Sequence, residues 1–504
     1  MVRPILIVGA GPTGLVMALW LSKAGIPVRI IEKNAGPGEA SRAMAVQART
    51  LELYQLLGIA DRIVAAGIPV HAMHLRRGRE EVATLPFSDA GQFISPFPFI
   101  LSLPQDIHER LLIEELSHFG VAVEWNSELM RFRDDGDSVS AEIRRPEEDE
   151  IASFSYVCGC DGVHSSVRQG LRLEFPGGTY DQMFYVADVV ASGTALNQDV
   201  NVSADAESLL LGFPIRSEGT FRLVGIVPKE FAAKSPVDFE DLRPLVKAQI
   251  DAEVQAVNWF STYHVHHRVA EHFRVGRVFI AGDAGHVHSP AGGQGMNTGI
   301  GDAVNLSWKL GAVLSGTAPE SILDSYEPER IEFAKVLVHS TDRAFRAVVG
   351  TNLQSRAIRR FLVPRFGPLM LRLDATRNVL FRLVSQTQIH YSHSELSEGV
   401  RGSVQGGDRL PWLPNSDIYD QLSSARWSLI CIPSGTSRVT EMVGRFGIKV
   451  IDVEFTQEAQ SAGFAADSAY LVRPDGYVGA AFDIHEPDLM LSYLEKWFTL
   501  SVEN

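Results

Sequence analysis

The chain has 504 residues, of which 45% are hydrophobic and 21% charged, and a formal net charge of −15. This length exceeds what one hydrophobic core normally supports, so two or three domains are expected. The negative charge disfavours nucleic acid and anionic membranes as partners, and the sequence has neither a membrane-spanning apolar run nor a signal-peptide pattern after Met1, which predicts a cytoplasmic protein.

The N-terminal segment is an apolar strand that runs into the pattern Gly9-x-Gly11-x-x-Gly14 and then into a helical stretch. Glycines at these positions permit a tight turn, close approach of the backbone to a pyrophosphate, and close packing of helix on strand. A second apolar strand ends at Glu32, where a carboxylate can accept hydrogen bonds from an adenosine ribose. That carboxylate would repel a 2′-phosphate, so the site favours FAD or NAD over NADP.

Further elements follow from hydrophobic periodicity and from glycine stops. A strand is also expected to end at Asp161-Gly162, where the serines that follow can cap a helix. The other predicted elements of this region are helices over 43–58 and 105–119, ending at Gly58 and Gly120, a strand over 121–125, and a hairpin of 138–144 with 151–157.

A second glycine-rich element occupies residues 282–309. Gly282-Asp283 closes a strand, and the Asp283 carboxylate can accept a hydrogen bond from a ribityl hydroxyl. The loop from Pro290 to Asn297 has little side-chain bulk, so its amides can approach the edge of a flat ring. The whole element is therefore suited to hold a flavin ring. The helix that follows would direct its positive N-terminal end at that ring, and this would stabilise the negative charge of the reduced flavin.

No metal site is predicted. His286 and His288 lie beside glycines with no acid pair close in sequence, so they are expected to pack in the loop or to contact a flavin. Cys158, Cys160 and Cys431 form neither Cys-x-x-Cys nor a four-ligand set, and buried or inert thiols are expected.

Three motifs, taken in order, carry a family resemblance. Gly9-x-Gly11-x-x-Gly14, Asp161-Gly162 with Arg168, and Gly282-Asp283 followed by residues 290–297 resemble those of the single-component FAD-dependent aromatic hydroxylases, the phenol-hydroxylase-like flavoprotein monooxygenases. The resemblance implies an α/β protein with a Rossmann-like FAD-binding domain, an inserted β-sheet substrate domain and a C-terminal thioredoxin-like domain. The implied boundaries are 1–71, 101–180 and 268–400 for the FAD-binding domain, with a helical extension over 320–400, then 72–100 and 181–267 for the substrate domain, and 401–504 for the tail.

The resemblance also implies a reaction. FAD would be the cofactor and NADPH or NADH a transient co-substrate, which agrees with the lack of a second Gly-x-Gly-x-x-Gly. O2 would then form a flavin C4a-hydroperoxide that hydroxylates a phenolic or polyketide-like aromatic substrate. A flavin-dependent reductase or dehydrogenase and a non-catalytic FAD-containing ligand-binding protein stay open as alternatives, whereas a flavin halogenase is disfavoured because no Trp-x-Trp occurs.

Individual residues are assigned through the same resemblance. Arg42 matches an arginine near the flavin and the nicotinamide or substrate path, and Gln105 matches a glutamine along the FAD adenosine–ribityl stretch. The predicted FAD-binding residues are Gly9, Gly11, Pro12, Thr13, Gly14, Glu32, Lys33, Arg42, Gln105, Leu129, Asp161, Gly282, Asp283, Pro290, Gly292, Gly293, Gly295, Met296 and Asn297.

The substrate-covering sheet is predicted from strand-like segments at 183–190, 208–214, 220–227 and 259–266. Several phenol-using members carry an acid two residues after the position of Arg42, where this chain has Met44. Another base, with Tyr263 or His264 as the candidates, or a substrate that is already electron-rich is therefore expected. Because neighbours on a strand face opposite ways, only one of these two side chains can point into the pocket. The aromatic-rich set suited to line that pocket is Phe93, Pro96, Phe97, Pro98, Phe99, Phe213, Tyr263 and His264.

The remaining segments are expected to support the structure. Arg49 and Glu52 should stabilise their helix, and the basic stretch 356–372 should be a solvated helix face. In the tail, strands at 427–432, 449–453 and 469–472 and a hairpin at 473–478 resemble a thioredoxin-like domain. Without Cys-x-x-Cys it cannot perform dithiol chemistry, so packing or formation of a homodimer is its expected role.

Overall fold

The structure is a computed structural model. It describes residues 3–38, 43–78, 80–193, 195–204, 209–216, 219–232, 236–288, 293–349, 371–433, 435 and 437–499. Over these ranges, the helices are all too short or too polar to cross a bilayer.

The described strands are numbered in chain order. They are β1 (Ile5–Val8), β2 (Val28–Ile31), β3 (Ala45–Val46), β4 (Ile68–Val70), β5 (Ala72–Arg77), β6 (Glu80–Pro86), β7 (Ile100–Ser102), β8 (Val123–Glu124), β9 (Glu128–Asp134), β10 (Val139–Arg144), β11 (Glu150–Phe154), β12 (Tyr156–Gly159), β13 (Gly177–Ser192), β14 (Val200–Ala204), β15 (Leu209–Pro214), β16 (Thr220–Ile226), β17 (Glu253–Val269), β18 (Arg274–Val275), β19 (Val278–Ile280), β20 (His286–Val287), β21 (Val400–Arg401), β22 (Val404–Gln405), β23 (Ser428–Ile432), β24 (Lys449–Asp452), β25 (Ser468–Val472) and β26 (Val478–Asp483).

The described α-helices are numbered in the same way, and two 3-10 turns lie at Gly282–Ala284 and Glu320–Ser325. The helices are α1 (Pro12–Lys23), α2 (Ala48–Leu57), α3 (Ala60–Ala65), α4 (Phe87–Gly91), α5 (Gln105–Ser117), α6 (Ser166–Gly170), α7 (Lys229–Ala232), α8 (Phe239–Ile250), α9 (Gly295–Leu314), α10 (Tyr326–Val349), α11 (Asp374–Ser385), α12 (Ile418–Gln421), α13 (Ser437–Gly444), α14 (Gln457–Ser461) and α15 (Pro487–Trp497).

A mostly parallel sheet of order β18-β19-β12-β1-β2-β8 forms the first layer, with α1 packed between it and α9. All four residues of β1 are buried because helices and loops cover both sheet faces, which explains its unbroken apolar run. The carboxyl ends of parallel strands meet at one edge, so the turns after β1, β2, β12 and β19 are brought together.

An eight-stranded sheet of order β20-β17-β13-β16-β15-β14-β5-β6 forms the second unit. Its β5–β6 hairpin and its strands β13 to β17 come from the two segments that the sequence assigned to one substrate-covering sheet. The sheet also recruits β20, which directly follows the Asp283 turn and pairs with the end of β17. Apolar side chains of α8 cover the face that carries Tyr185 and Ala187.

The tail contains a four-stranded sheet of order β24-β23-β25-β26, in which β23 runs parallel to β24 and antiparallel to β25. Its core merges with that of the first layer through Trp427, which contacts Trp308 of α9 edge-on at 5.6 Å between ring centroids. The mixed α/β fold is therefore confirmed, and the domain boundaries given above stay a prediction.

Several predicted elements differ in extent. The helix predicted over 43–58 begins only at Ala48, because Ala45–Val46 pairs with β7 as a short strand, although its predicted end is correct: Gly58 adopts φ +78°. The strand predicted over 151–157 is two strands of different sheets, with the break at Ser155, whose hydroxyl donates to the Arg3 carbonyl. The strand predicted over 121–125 shortens to β8, and residues 356–370 of the basic stretch lie outside the described residues.

Candidate functional site

The three glycines of the first turn have two different roles, since two are required by close backbone contacts and one borders open space. Gly9 has φ +105°, and a Cβ there would lie 2.4 Å from the Cys160 carbonyl oxygen. A Cβ at Gly14 would lie 2.0 Å from the Gly9 carbonyl oxygen, so both glycines are required by close backbone contacts. At Gly11, by contrast, no described protein atom would lie within 4 Å of the added carbon. The space beside Gly11 is therefore open to a ligand.

The second glycine-rich element packs directly on the first. A Cβ at Gly282 would lie 2.7 Å from the Thr13 hydroxyl, and one at Gly299 would lie 2.5 Å from the same oxygen. Thr13 thus sits between the Gly282 turn and α9, two features that lie some 270 and 286 residues further along the chain. The two glycine-rich motifs, which are far apart in the sequence, are therefore in contact in the fold.

The Asp161 turn completes the same edge. One oxygen of Asp161 caps α6 by accepting the backbone N–H of Ser166 at 2.7 Å, and the other is buried without a hydrogen-bond partner among the described residues. Arg168 donates to the carbonyl oxygens of Ala284 (2.8 Å) and Val163 (2.7 Å). These bonds tie the Asp161 turn to the Gly282–Ala284 turn.

Glu32 lies where β2 ends and faces the first glycine turn. Its carboxylate accepts the backbone N–H groups of Ala10 and Asn34, both at 3.0 Å. The predicted position of an adenosine-binding acid is thus occupied by a carboxylate beside the open space at Gly11. Lys33 is exposed next to it, and Leu129 is buried in β9.

Helix α9 begins at Gly295, so Met296 and Asn297 belong to its first turn rather than to the loop predicted for them. The Asn297 side chain is used up within the protein: its oxygen accepts from Gln47 N and Thr50 Oγ1, and its amide nitrogen donates to the carbonyls of Ala45 and Gly293. Only its backbone is left to serve a ligand. In the described chain, no side chain caps α9 and no acid lies in its first turn, which suits an anion-stabilising helix end.

The acid that the sequence predicts to face the ribityl chain is exposed, and the residue behind it is buried. Asp283 is exposed in the 3-10 turn Gly282–Ala284, in a position to meet a ligand. Behind it, Asp302 accepts the Gly282 N–H (2.9 Å) and His286 Nε2 (2.7 Å) on one oxygen and Arg330 Nε (2.6 Å) on the other. Burial alone would raise the pKa of Asp302, but Arg330 and His286 outweigh it and the pKa is lowered. The side chain is therefore a carboxylate at neutral pH.

Sequence reasoning missed a row of buried polar residues along α9. Asn305 and Lys309 both donate to the Glu329 carboxylate of α10, at 2.6 and 2.8 Å, and Arg473 of the tail binds it with two nitrogens at 2.8 and 3.0 Å. Burial lowers the pKa of Lys309 to about 8. Charged residues are usually a sign of a solvated helix face, so only the spacing of 298, 302, 305 and 309 gave any signal of this row.

Two further predicted residues have structural partners. Gln105 begins α5, accepts the Ala43 N–H at 3.3 Å and donates to Glu109 at 2.8 Å. Arg49 pairs with Glu52 at 2.8 Å, as expected for helix support, and it also donates to the carbonyl oxygen of Asp475 in the tail at 2.6 Å. Arg42, Pro290 and Gly292 lie outside the described residues.

The two candidate bases lie on opposite faces of the eight-stranded sheet. Tyr263 pairs with Phe184 across β17 and β13, and their rings lie 5.9 Å apart. His264 pairs with Met183, which packs with the α8 side of the sheet, so His264 is directed away from the face that Tyr263 occupies. Tyr263 shares its face with Phe213, whose cluster includes Ala45 and Ala48 near the N-terminus of α9.

Among the other members of the aromatic set, some pack against each other and one is exposed to solvent. Phe97 and Phe99 are half-buried, with ring centroids 6.2 Å apart, whereas Phe93 is 71% exposed. On the same sheet face as Tyr263, Arg222 binds Asp188 with two nitrogens at 2.7 and 2.8 Å.

Within the described ranges, His, Cys, Asp and Glu form no cluster of three that could hold a metal ion.

Comparison with known proteins places this geometry in context. Residues 3–341 match a family model described as an FAD binding domain. The 6-methylpretetramide 4-monooxygenase of Streptomyces rimosus is 32% identical over 94% of this chain and 90% of that protein. The dialkyldecalin synthase of Streptomyces rugosporus is 29% identical over 98% of each. Among solved structures, the anhydrotetracycline hydroxylase OxyS from Streptomyces rimosus is similar, with a TM-score of 0.78, 29% identity and 99% coverage of both chains.

Proposed function

The chain belongs to the FAD-dependent aromatic hydroxylases, which are flavoprotein monooxygenases, and from this membership we propose that it hydroxylates a multi-ring, polyketide-like aromatic compound with O2 and NADPH or NADH. The observation that carries the proposal is the meeting of three turns, at Gly9, Asp161 and Gly282, around a space without described protein atoms at Gly11. The oxygen-transfer route expected above and a cytoplasmic location are part of the same proposal.

The residues present fit FAD. Glu32 suits the adenosine ribose, the amides that follow Gly11 suit the pyrophosphate, Asp283 suits the ribityl chain, and the first turn of α9 suits the pyrimidine edge of the ring. Bound FAD supplies the redox and oxygen-activating chemistry. The protein's own part is to orient the ring, to favour negative charge at its pyrimidine edge through the α9 N-terminus, and to keep water away from the reacting atoms.

A basic cluster beside the Gly282–Ala284 turn supports docking of an anionic nicotinamide co-substrate. It is formed by His164, Arg168, His266, His267 and Arg268. Arg168 binds the Ala284 carbonyl, and Arg268 pairs with Val287 directly after the turn. Burial and then the nearby charge of Arg268 lower the pKa of His266, so His266 offers a phosphate a hydrogen bond rather than a positive charge at neutral pH. On a chain of net charge −15, such a cluster attracts phosphates selectively.

The substrate class rests on two features. Relatives named above act, by their names, on 6-methylpretetramide and anhydrotetracycline, which are multi-ring compounds. Met44, at the position where phenol-using members carry an acid, is buried and apolar, so this position offers no base to ionise a simple phenol. An electron-rich ring needs less help, and Tyr263, which shares its sheet face with Phe213, is the residue proposed to orient the substrate hydroxyl group.

Tyr263→Phe tests that placement. We expect a several-fold loss of kcat/KM for the aromatic substrate, by roughly 1 kcal/mol from one lost hydrogen bond. His264→Gln is the matched control, because it alters the next residue on the opposite face and should leave kcat/KM unchanged. An equal loss in both variants would refute the assignment of the two faces.

The alternatives are separated by one set of measurements on the purified protein. Aromatic compounds are screened for faster NADPH or NADH oxidation with O2 present, and product mass is measured. A hydroxylase consumes O2 and yields a product heavier by one oxygen. A reductase or dehydrogenase turns over without O2, and a ligand-binding protein shows no aromatic-stimulated oxidation. A product of unchanged mass would instead favour a synthase activity without oxygen transfer, a class to which the name of the dialkyldecalin synthase relative points.

A further inference from the structure

We propose that Asp302 is a positioning residue for FAD, which acts by fixing the Gly282–Asp283 turn from behind. Asp302 is fully buried, so its carboxylate cannot itself reach a bound ligand. Asp283, the acid proposed to face the ligand, is exposed and lies in the 3-10 turn that follows the strand β19. The orientation of Asp283 therefore depends on what holds the backbone of its turn.

One oxygen of Asp302 holds both ends of that turn. Oδ2 accepts the backbone N–H of Gly282 at 2.9 Å and Nε2 of His286 at 2.7 Å. Within the turn, Gly285 N–H donates to the Gly282 carbonyl at 2.8 Å, which closes the segment into a 3-10 turn. Gly282 has φ +62° and abuts Thr13 of the first glycine turn, so a shift at Gly282 would move both walls of the site.

The other oxygen of Asp302 is fixed by a guanidinium that has no freedom to move. Arg330 donates from Nε to Asp302 Oδ1 at 2.6 Å, and its remaining nitrogens bind the Tyr391 hydroxyl (2.8 Å) and the Thr298 carbonyl (3.1 Å). Thr298 lies in the first turns of α9. A single buried carboxylate, that of Asp302, thus links the Gly282–His286 turn, the first turns of α9 and α10.

Glu329 provides a matched comparison for this role. It neighbours Arg330, is as buried as Asp302 and belongs to the same contact between α9 and α10. It binds Asn305, Lys309 and Arg473, and none of its recorded partners belongs to the Gly282–His286 turn. If buried carboxylates merely stabilised the fold, loss of either charge would have the same consequence for FAD.

The test compares Asp302→Asn with Glu329→Gln in the full-length chain. For each variant the melting temperature of the apoprotein is measured, then the Kd for FAD by titration of flavin fluorescence, and then the visible spectrum of the bound flavin. In Asp302→Asn the amide N–H2 must face either the Gly282 N–H and His286 or Arg330, and each choice sets donor against donor. We expect the Kd to rise by about tenfold or more with an altered flavin band, whereas Glu329→Gln lowers the melting temperature and keeps Kd within about twofold.

A second pair decides the question if Asp302→Asn does not fold. His286→Ala removes one of the two groups that bind Asp302 Oδ2, whereas His286→Gln places an amide nitrogen near the former Nε2 and can restore the bond. We expect a raised Kd in the first and recovery in the second. The proposal is overturned if Asp302→Asn binds FAD as the wild type does, if both carboxylate variants show a similar rise in Kd together with a lower melting temperature, or if His286→Ala keeps the wild-type Kd.

Discussion

At its N-terminal end α9 meets glycine-rich turns, whereas along its middle it carries buried charged side chains. The glycine end carries little side-chain bulk: an added Cβ at Gly295 would come no closer to a described atom than 3.9 Å, from His288 Nε2, which leaves room for a ligand beside the backbone. The middle is filled by Lys309, Glu329 and Arg473, which form ion pairs with no exposure to solvent. One end of the helix serves a ligand, and the other fixes the helix to α10 and to the tail.

Because of this difference, substitutions in the two regions should have different consequences. Changes at the glycine turns that fill a backbone contact should unfold the protein, and changes that fill the open space should cost only FAD. Changes in the buried ion pairs should lower stability first and reach the cofactor only through Asp302.

The largest effect is expected from Gly14→Ala. The added methyl group would lie 2.0 Å from the Gly9 carbonyl oxygen, and a backbone atom cannot give way as a side-chain end can. We expect little folded protein, a loss above about 3 kcal/mol in the free energy of unfolding. Gly444→Ala is the control, since an added methyl there meets no described atom within 4 Å. Normal folding of Gly14→Ala, measured by circular dichroism and denaturant titration, would contradict the packing described here.

Arg473→Met should come next. It leaves Glu329 buried without its two-nitrogen partner, and removing one member of a buried ion pair typically costs about 3–5 kcal/mol. Arg438→Met is the control, because it breaks an exposed ion pair with Asp488 that also lies in the tail. It should change the free energy of unfolding by less than about 1 kcal/mol. Equal losses in the two variants would mean that burial of the pair does not matter.

Asp283→Ala should chiefly affect the cofactor. We expect the purified protein to be largely colourless, with the Kd for FAD raised by about a hundredfold, or about 2.7 kcal/mol, and with the melting temperature of the apoprotein kept. Asp283→Asn, which retains an acceptor, should lose less. Stoichiometric FAD in the alanine variant would count against Asp283 as the flavin-side acid.

The last effect, which is the smallest near neutral pH, concerns the protonation of a buried histidine. His108 is buried against Tyr54, with 2.8 Å between Nε2 and the hydroxyl, and burial lowers the pKa of His108 from 6.5 to about 4. Between these values the unfolded chain binds the proton and the folded chain does not, so stability is lost as pH falls, by up to about 1.4 kcal/mol per unit. His108→Gln should flatten the dependence of the free energy of unfolding on pH between about 6.5 and 4. An unchanged slope would refute the contribution of His108.

The sequence predicted those parts of the site whose signals are local. Gly9 and Gly14 are conspicuous because any side chain would clash, and the parallel-strand rule then places Glu32 and Asp161 at the same edge. Asp302 and Arg473 could not be found in this way, because their partners lie 28 and 144 residues away and a charged residue normally indicates solvent. The short strand Ala45–Val46 has no sequence signal of its own, because two residues are too few to show an alternating pattern.

The affinity of Gly11→Ala for FAD decides whether the cofactor occupies the open space beside Gly11. Gly11 has φ −74°, which alanine adopts without strain, and no described protein atom lies within 4 Å of the new methyl group. We predict an unchanged melting temperature for the apoprotein and a Kd for FAD raised by about tenfold or more, because the methyl group takes the space of the pyrophosphate. A variant that binds FAD as tightly as the wild type would show that the cofactor does not lie in the space between the three turns.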